Sequence, residues 1–447
     1  MSIHPIEFRY GTPEMKAIWE ETSRLRAYLA VEAALAAAEA EAGLIPEDAA
    51  ERIRQAVDEV ELARVKEIEA EIDHDLMAVV LALSECAGDA GRWVHFGATS
   101  YDIVDTALAI MLRDSLDLIT TRLRELERTL LDLAEGTKDL VCVARTHGQI
   151  AVPTTYGMRF ALWAMEVRRH IERLGEIRGR IAVGKMSGAV GTGAPLGAHA
   201  IEIEQRVMEI LGLKPAEITN QVIQRDRHAE FVFALASIAT TLDKICTTIR
   251  NLQRSEIGEV SEAFGERQVG SSTMPHKRNP IKSEQVCGLA RIVRGMVEPA
   301  LLNNTLWEER DLTNSSSERV IFPESCILTD HIIVLTTRIL KGLVLHHDRI
   351  KANLKLMQGL DMAEAVMIEL TRKGMSRQRA HELIRELSME AVERGVGLRD
   401  VLLENIIVRE YLSEDEIDRV LDHRNYIGVA VDRVRRVVGR KDNNKCS

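Results

Sequence analysis

The placement of proline limits what this chain can become more than any other feature. Its 447 residues hold 10 prolines, and none occurs from Glu47 to Val152, from Ala216 to Met274, or from Glu324 onward. Proline interrupts a helix interior because it lacks an N–H and its ring strikes the carbonyl one turn back. Those three stretches are therefore open to long helices. Aromatic residues make up only 4% of the chain, while Ala, Leu, Glu and Arg recur throughout, which favours helix over strand.

Periodicity turns this permission into a prediction. Leu112, Leu116, Ile119, Leu123, Leu126, Leu130 and Leu133 recur at alternating intervals of four and three, and so do Leu235, Ile238, Leu242, Ile245, Ile249 and Leu252. Each set is an apolar seam of coiled-coil type. A helix of ~30 residues spans ~45 Å, and helices of that length pack as an extended bundle. The predicted class is all-α. The pattern breaks at residues 1–12, 43–47, 184–196 and 262–282, and the polar tail after Val438 is expected to fray.

Other features exclude several classes. The net charge is −11, whereas proteins that coat nucleic acid usually carry excess Lys and Arg. A site can still be locally basic on an acidic body, so an anionic small molecule stays admissible. No apolar run approaches the ~18 residues of a membrane helix; Leu76 to Leu83 is among the longest and reads as buried helix. Residues Met1 to Tyr10 lack the basic and apolar regions of a secretion signal. Cysteines at 86, 142, 246, 287, 326 and 446 form no CxxC pair, which suits small core residues in a reducing compartment, the cytoplasm by default. His346 and His347 are adjacent and would point apart on a helix, so no metal is implied.

The strongest break is Gly270-Ser271-Ser272-Thr273-Met274-Pro275-His276-Lys277-Arg278-Asn279-Pro280. Gly and two Ser supply hydroxyls and backbone N–H groups, His276, Lys277 and Arg278 follow and make the loop cationic, and Pro280 stands where a helix is expected to begin. Backbone donors beside a helix N-terminus suit an anion. A second Gly-rich loop, Ser187 to Gly193, lacks the order of a nucleotide-binding P-loop.

The segment GSSTMPHKRNP resembles the signature of the fumarase/aspartase superfamily, whose members cleave C–N or C–O bonds with release of fumarate or run related cyclisations. Two further blocks match in order. His95-Phe96-Gly97-Ala98-Thr99-Ser100-Tyr101-Asp102 is similar to its HxGxTSxD segment, and Arg145-Thr146-His147-Gly148-Gln149 to its RTHGQ segment. Within the superfamily the resemblance is to the adenylosuccinate lyase family. It rests on Arg9-Tyr10 with Pro13-Glu14-Met15 and Trp19, on Asp73-His74-Asp75, on Gln221 to His228, and on Glu309-Arg310-Asp311 through Ser315-Ser316 to Glu318-Arg319. The 3-carboxymuconate cycloisomerases share a very similar signature loop and are the alternative.

The resemblance implies an elongated long-helix bundle that assembles into a tetramer core of about twenty helices. Each active site would draw on three subunits, with no cofactor. The expected division is an N-terminal helical domain at 1–111, a central long-helix domain at 112–345 and a C-terminal helical domain at 346–447. The implied reaction is β-elimination of fumarate from adenylosuccinate, giving AMP, and from succinylaminoimidazole carboxamide ribotide (SAICAR), giving AICAR. Such a step needs a base for a weakly acidic C–H, donors that stabilise the carbanion, and an acid for the leaving nitrogen.

By resemblance Ser271 is the base and His147 the acid, with His74, Lys277 and Glu284 assisting. Arg9, Tyr10, Arg310, Ser315 and Arg319 would hold phosphate or ribose, and Lys277 and Asn279 a succinyl carboxylate. Asp73, His74, Asp75 and His95 would contact or orient the substrate. Thr99, Ser100, Thr146 and Gln221 would add neutral hydrogen bonds. His74 and the Thr99–Ser100 pair also suit helix capping. The superfamily has been reused for structural crystallins, so a non-catalytic scaffold is the contrasting possibility.

Overall fold

The computed structural model describes residues 4–265, 273–274 and 276–439. In chain order its principal helices begin with α1 (Glu21–Glu41), α2 (Asp75–Ala87) and α3 (Ser100–Gly136). A hairpin of β1 (Val141–Thr146) and β2 (Gln149–Thr155) leads into α4 (Tyr156–Ile181). Then come β3 (Val183–Gly184), α5 (Ala200–Leu211), β4 (Lys214–Pro215), α6 (Asp226–Leu252), β5 (Val260–Ser261) and α7 (Ile281–Gly295). The 29-residue α8 (Thr313–Lys341), β6 (Val344–Leu345) and α9 (His347–Leu354) precede a run of short C-terminal helices. Strand β3 pairs in parallel with β4, and β5 pairs antiparallel with β6.

The seams behave as the spacing predicts. From Leu112 to Leu130 every seam residue is at most 1% exposed, and from Leu235 to Ile249 likewise, so both stripes are core. By length and composition α6 and α8 are apolar enough to cross a membrane, yet 61% and 72% of their apolar windows lie buried inside the protein.

Two elements depart from the proline pattern. The proline-free stretch up to Val152 is not helical throughout, because residues 141–155 form the β1–β2 hairpin. Val141, Val143, Ile150, Val152 and the Thr154–Thr155 pair are β-branched and prefer a pleated surface. Conversely, α8 runs through Pro323, which gives no N–H to the carbonyl of Arg319 one turn back.

The described chain forms two compact units. One comprises the chain up to Arg124, Arg169–Asp243 and Val286–Leu335; the other comprises Glu125–Arg168, Lys244–Gln285 and the chain from Thr336. In the first unit a core centred on Leu29, Val31, Leu35, Ile53, Leu76, Leu83 and Ile203 joins α1, α2 and α5. In the second, Val366, Leu370, Ile384, Leu387, Leu398, Leu402 and Ile417 bind the C-terminal helices together. None of the described cysteines is in a disulfide.

A buried acid interrupts the first core. Glu39 on α1 is fully buried, and neither carboxylate oxygen has a hydrogen-bond partner among the described residues. Burial, with the charge of Glu32 two helical turns earlier, pushes its pKa up to about 9. The unfolded chain releases this proton near pH 4.5 while the folded chain keeps it, so stability falls as pH rises from about 4.5 to about 9. Glu39→Met should therefore stabilise the protein by about 2–3 kcal/mol at pH 7 and by much less at pH 5, as read from urea unfolding at the two pH values.

Candidate active site

A cavity of about 760 Å³ lies within the first unit, a size ordinary for a small-molecule site. Of the residues singled out in the sequence, Asp73, His74, Asp75, Ser100, Arg310, Ser315 and Arg319 line it. Trp19 of the N-terminal block lines it too; Tyr28, Leu108, Met111 and Phe322, which the sequence did not mark, complete an aromatic and apolar wall, and Arg24 adds a cation.

Local structure aims these groups. Asp73 ends the preceding helix in the left-handed conformation at φ 55°, and His74 then caps α2. The His74 Nδ1 accepts the Met77 N–H at 3.2 Å. With Nδ1 engaged as an acceptor, the proton of the neutral ring sits on Nε2, which makes that nitrogen a donor. The capping role and a binding role are therefore compatible. Asp75 accepts from Arg319 at 2.5 Å. Burial works against its charge, but the Leu76 N–H and Arg319 outweigh burial and hold its pKa below the usual range. This pair is half exposed, so an incoming oxyanion can compete for Arg319.

The N-terminus of α8 presents Ser315 and Ser316 to the cavity in its first turn. Unpaired N–H groups and the helix dipole make such a turn attractive to anions. Asp311 organises its approach by accepting from the Thr313 N–H at 2.8 Å and the Trp307 N–H at 2.9 Å. Arg310 donates to Gln221 at 3.0 Å and stacks on the Tyr101 ring 3.6 Å from its centroid. Its buried Nε has no partner among the described residues.

Two buried ionic hubs support the walls. Arg225 is fully buried and forks onto Asp105 at 2.8 and 2.9 Å, while its Nε reaches the cavity residue Glu318 at 2.7 Å. It therefore ties α3 to α8 and neutralises an acid that would repel an anionic ligand. Asp102 pairs with Lys185 and accepts the N–H groups of Thr99 at 2.8 Å, Ser187 at 3.0 Å and Gly188 at 3.0 Å. The Thr99–Ser100 turn is thus bonded to the second Gly-rich loop. In that loop Gly191 has φ 85°, and a Cβ there would sit 2.1 Å from the Thr219 carbonyl. Arg225 and Asp102 lie inside quoted blocks, but their partners come from distant parts of the chain.

His95 is not among the cavity-lining residues. It occupies a left-handed turn at φ 62°, and its Nδ1 lies 2.6 Å from buried Glu32. Arg9 is exposed on the N-terminal segment, and Tyr10 packs on His331. That segment is moored to α8 by Thr12, whose hydroxyl donates to Asp330 at 2.5 Å.

The remaining candidates belong to the second unit. Thr146 and His147 sit at the exposed tip of the β1–β2 hairpin. Thr146 pairs with Gln149, so His147 and Gly148 form a two-residue turn with φ 54° and 78°, as a type I′ turn requires. Lys277 is exposed in a turn closed by its N–H to the Met274 carbonyl at 3.0 Å, and Asn279 is half-buried. Glu284 is exposed in the first turn of α7. Glu262 caps that helix, accepting the N–H of Ser283 at 2.7 Å and its hydroxyl at 2.6 Å. Ser271 lies outside the described residues.

A cavity lined by Arg24, Arg310 and Arg319 at a helix N-terminus suits an anionic small molecule. The sequence matches the lyase family over residues 7–295 and the adenylosuccinate lyase C-terminal family over 359–437. Adenylosuccinate lyase of Methanocaldococcus jannaschii is 53% identical over 100% of this chain and 97% of its own. That of Pyrococcus abyssi is 56% identical over 98% of each. Among solved structures, a fumarate lyase from Mesorhizobium superposes with a TM-score of 0.89 at 32% identity, covering 96% of this chain and 98% of that one. The 3-carboxy-cis,cis-muconate lactonizing enzyme of Pseudomonas putida gives 0.89 at 35%, covering 97% and 98%. The chain belongs to the adenylosuccinate lyase family.

The His95–Glu32 pair yields a test. Burial opposes the charged ring, but the hydrogen bond and charge of Glu32 outweigh it and raise the His95 pKa. The stabilisation is complete below the unfolded value of about 6.5 and is lost as pH rises through the folded value. Glu32→Gln should thus destabilise most at pH 6 and progressively less at higher pH, measured by denaturant unfolding.

Proposed function

We propose that this chain is a fumarate-releasing C–N lyase that cleaves adenylosuccinate to AMP and fumarate. SAICAR, which carries the same succinyl-amine linkage, is its second substrate. The observation that carries this reading is identity of 53–56% along essentially the whole chain to adenylosuccinate lyases, with the adenylosuccinate lyase C-terminal family matched as well. The cycloisomerase alternative shares the fold but has no comparable support in sequence.

The cavity chemistry supports the assignment of roles. Arg310, Arg319 and the first turn of α8 suit a phosphate, since guanidinium forks and helix N–H groups bind oxyanions in a fixed orientation. The His74 Nε2–H suits a substrate oxygen. Ser271 takes the proton from the succinyl Cβ, electrons move to expel the amine, and His147 protonates the departing nitrogen. Lys277 and Asn279 hold the carboxylate on which negative charge grows. Glu284 supports a histidine, and Arg9, Tyr10, Asp73, Asp75, His95, Thr99, Ser100, Thr146, Gln221 and Ser315 complete the contacts. Sites are shared among three subunits of a cytoplasmic homotetramer, whose subunit follows the division 1–111, 112–345 and 346–447.

Purified protein should release fumarate from adenylosuccinate with the accompanying change in purine absorbance. Ser271→Ala and His147→Ala should each lower kcat by about 10²–10⁴ while helical content is retained. Turnover of carboxymuconate without turnover of adenylosuccinate would replace this reading with the cycloisomerase one. A catalytically active monomer in light scattering would remove the shared-site organisation.

A further inference from the structure

The hairpin that carries His147 is a poor platform by itself. A two-stranded ribbon is marginally stable in water, and His147 occupies a left-handed turn conformation that costs a non-glycine residue on the order of 1 kcal/mol. The register also shifts between Val143 and Arg145, just before the turn. Proton delivery tolerates little misplacement, so something outside the ribbon must hold it.

That anchor is Glu259, immediately before β5 and fully buried. Its Oε1 accepts from Arg145 in β1 at 2.6 Å, and its Oε2 accepts the hydroxyl of Tyr156, the residue that follows β2, at 2.6 Å. One carboxylate thus grips β1 and the residue at which β2 passes into α4. Asn353 of α9 adds a third bond at 2.9 Å. The backbone of Glu259 is itself fixed, its N–H donating to the Leu252 carbonyl at 3.0 Å and its carbonyl accepting from the His346 N–H at 2.9 Å. Burial alone would favour the protonated acid, but Arg145, Tyr156 and Asn353 together keep its pKa below the usual range.

We propose that Glu259 is a positioning residue for protonation of the leaving group, holding the hairpin through Arg145 and Tyr156 so that His147 meets the departing nitrogen. The inference rests on His147 as the general acid. Glu259 touches no reacting atom. Its effect therefore falls on the chemical step and not on the cavity that binds the nucleotide portion.

The test uses full-length protein turning over adenylosuccinate, with thermal melting recorded on the same samples. Glu259→Gln and Arg145→Met should each lower kcat at least about tenfold while KM changes less than about threefold. Glu259→Asp, which keeps the charge, should recover part of the loss. The double variant should lose less than the product of the two single losses, because both changes break the Arg145–Glu259 linkage. Asn353→Ala removes a Glu259 partner outside the hairpin; it should lower the melting temperature yet leave kcat within about twofold. A folded Glu259→Gln with wild-type kcat overturns the proposal, as do kcat losses that simply follow melting temperature across the series. If Glu259→Gln does not fold, the contrast between Arg145→Met and Asn353→Ala decides by the same split. His147→Ala is run alongside. Near-normal kcat there removes the general-acid reading itself, whereas a large loss there with unaffected Glu259 and Arg145 variants removes only the positioning role.

Discussion

A stripe of Leu and Ile repeating every three or four residues leaves water only if its helix stays regular for the whole length of the stripe. In the 37-residue α3 that requirement runs from Leu112 to Leu130, about 28 Å of axis. Each seam residue removed from water contributes roughly 1.5–3 kcal/mol, and a break in the helix would forfeit every later one. Long, regular, buried helices follow from that condition. Loops, caps and the hairpin are placed where the helices begin and end.

Such a frame gives catalysis rigid starting points but no chemistry, since its buried faces are apolar. The polar work is concentrated at a few buried carboxylates. Asp105 shares Arg225 with Glu318, Asp102 gathers Lys185 with three backbone N–H groups, and Glu259 joins Arg145, Tyr156 and Asn353. Removing one partner from a buried ion pair leaves an uncompensated charge, at a penalty of about 3–5 kcal/mol. Each hub therefore resists displacement, and each lies beside residues proposed to handle substrate. The net charge of −11 describes the helix surfaces, whereas the cavity balances Arg24, Arg310 and Arg319 against acids that are partly committed elsewhere.

Legibility in the sequence varied with the range of the interactions involved. The seams on α3 and α6 were readable because i to i+3 and i to i+4 neighbours are set by helix geometry alone. The hairpin was not, because proline-free sequence permits helix without requiring it, and the β-branched residues at 141–155 tipped the balance. Pro323 lies inside α8, whose start ahead of the proline-free stretch was not legible, since tertiary burial of the helix outweighs one missing hydrogen bond. Among the candidate residues, seven were found lining one cavity, Arg310 among them and bonded to Gln221, while His95 proved to be bonded to Glu32. The hubs at Arg225 and Glu259 gave no local signal, because their partners stand 93–120 and 94–114 positions away.

By itself, then, the sequence determined the helical class, the long seams and the family, because periodicity and ordered motifs are properties of neighbouring residues. Only the tertiary structure decided that Arg225 joins Asp105 to Glu318 and that Asp75 already occupies Arg319. It alone placed Glu259 behind the His147 hairpin. Those outcomes depend on which distant groups the fold brings together, and at the Arg225 and Glu259 hubs on a buried, low-dielectric space where a charge must find its partner.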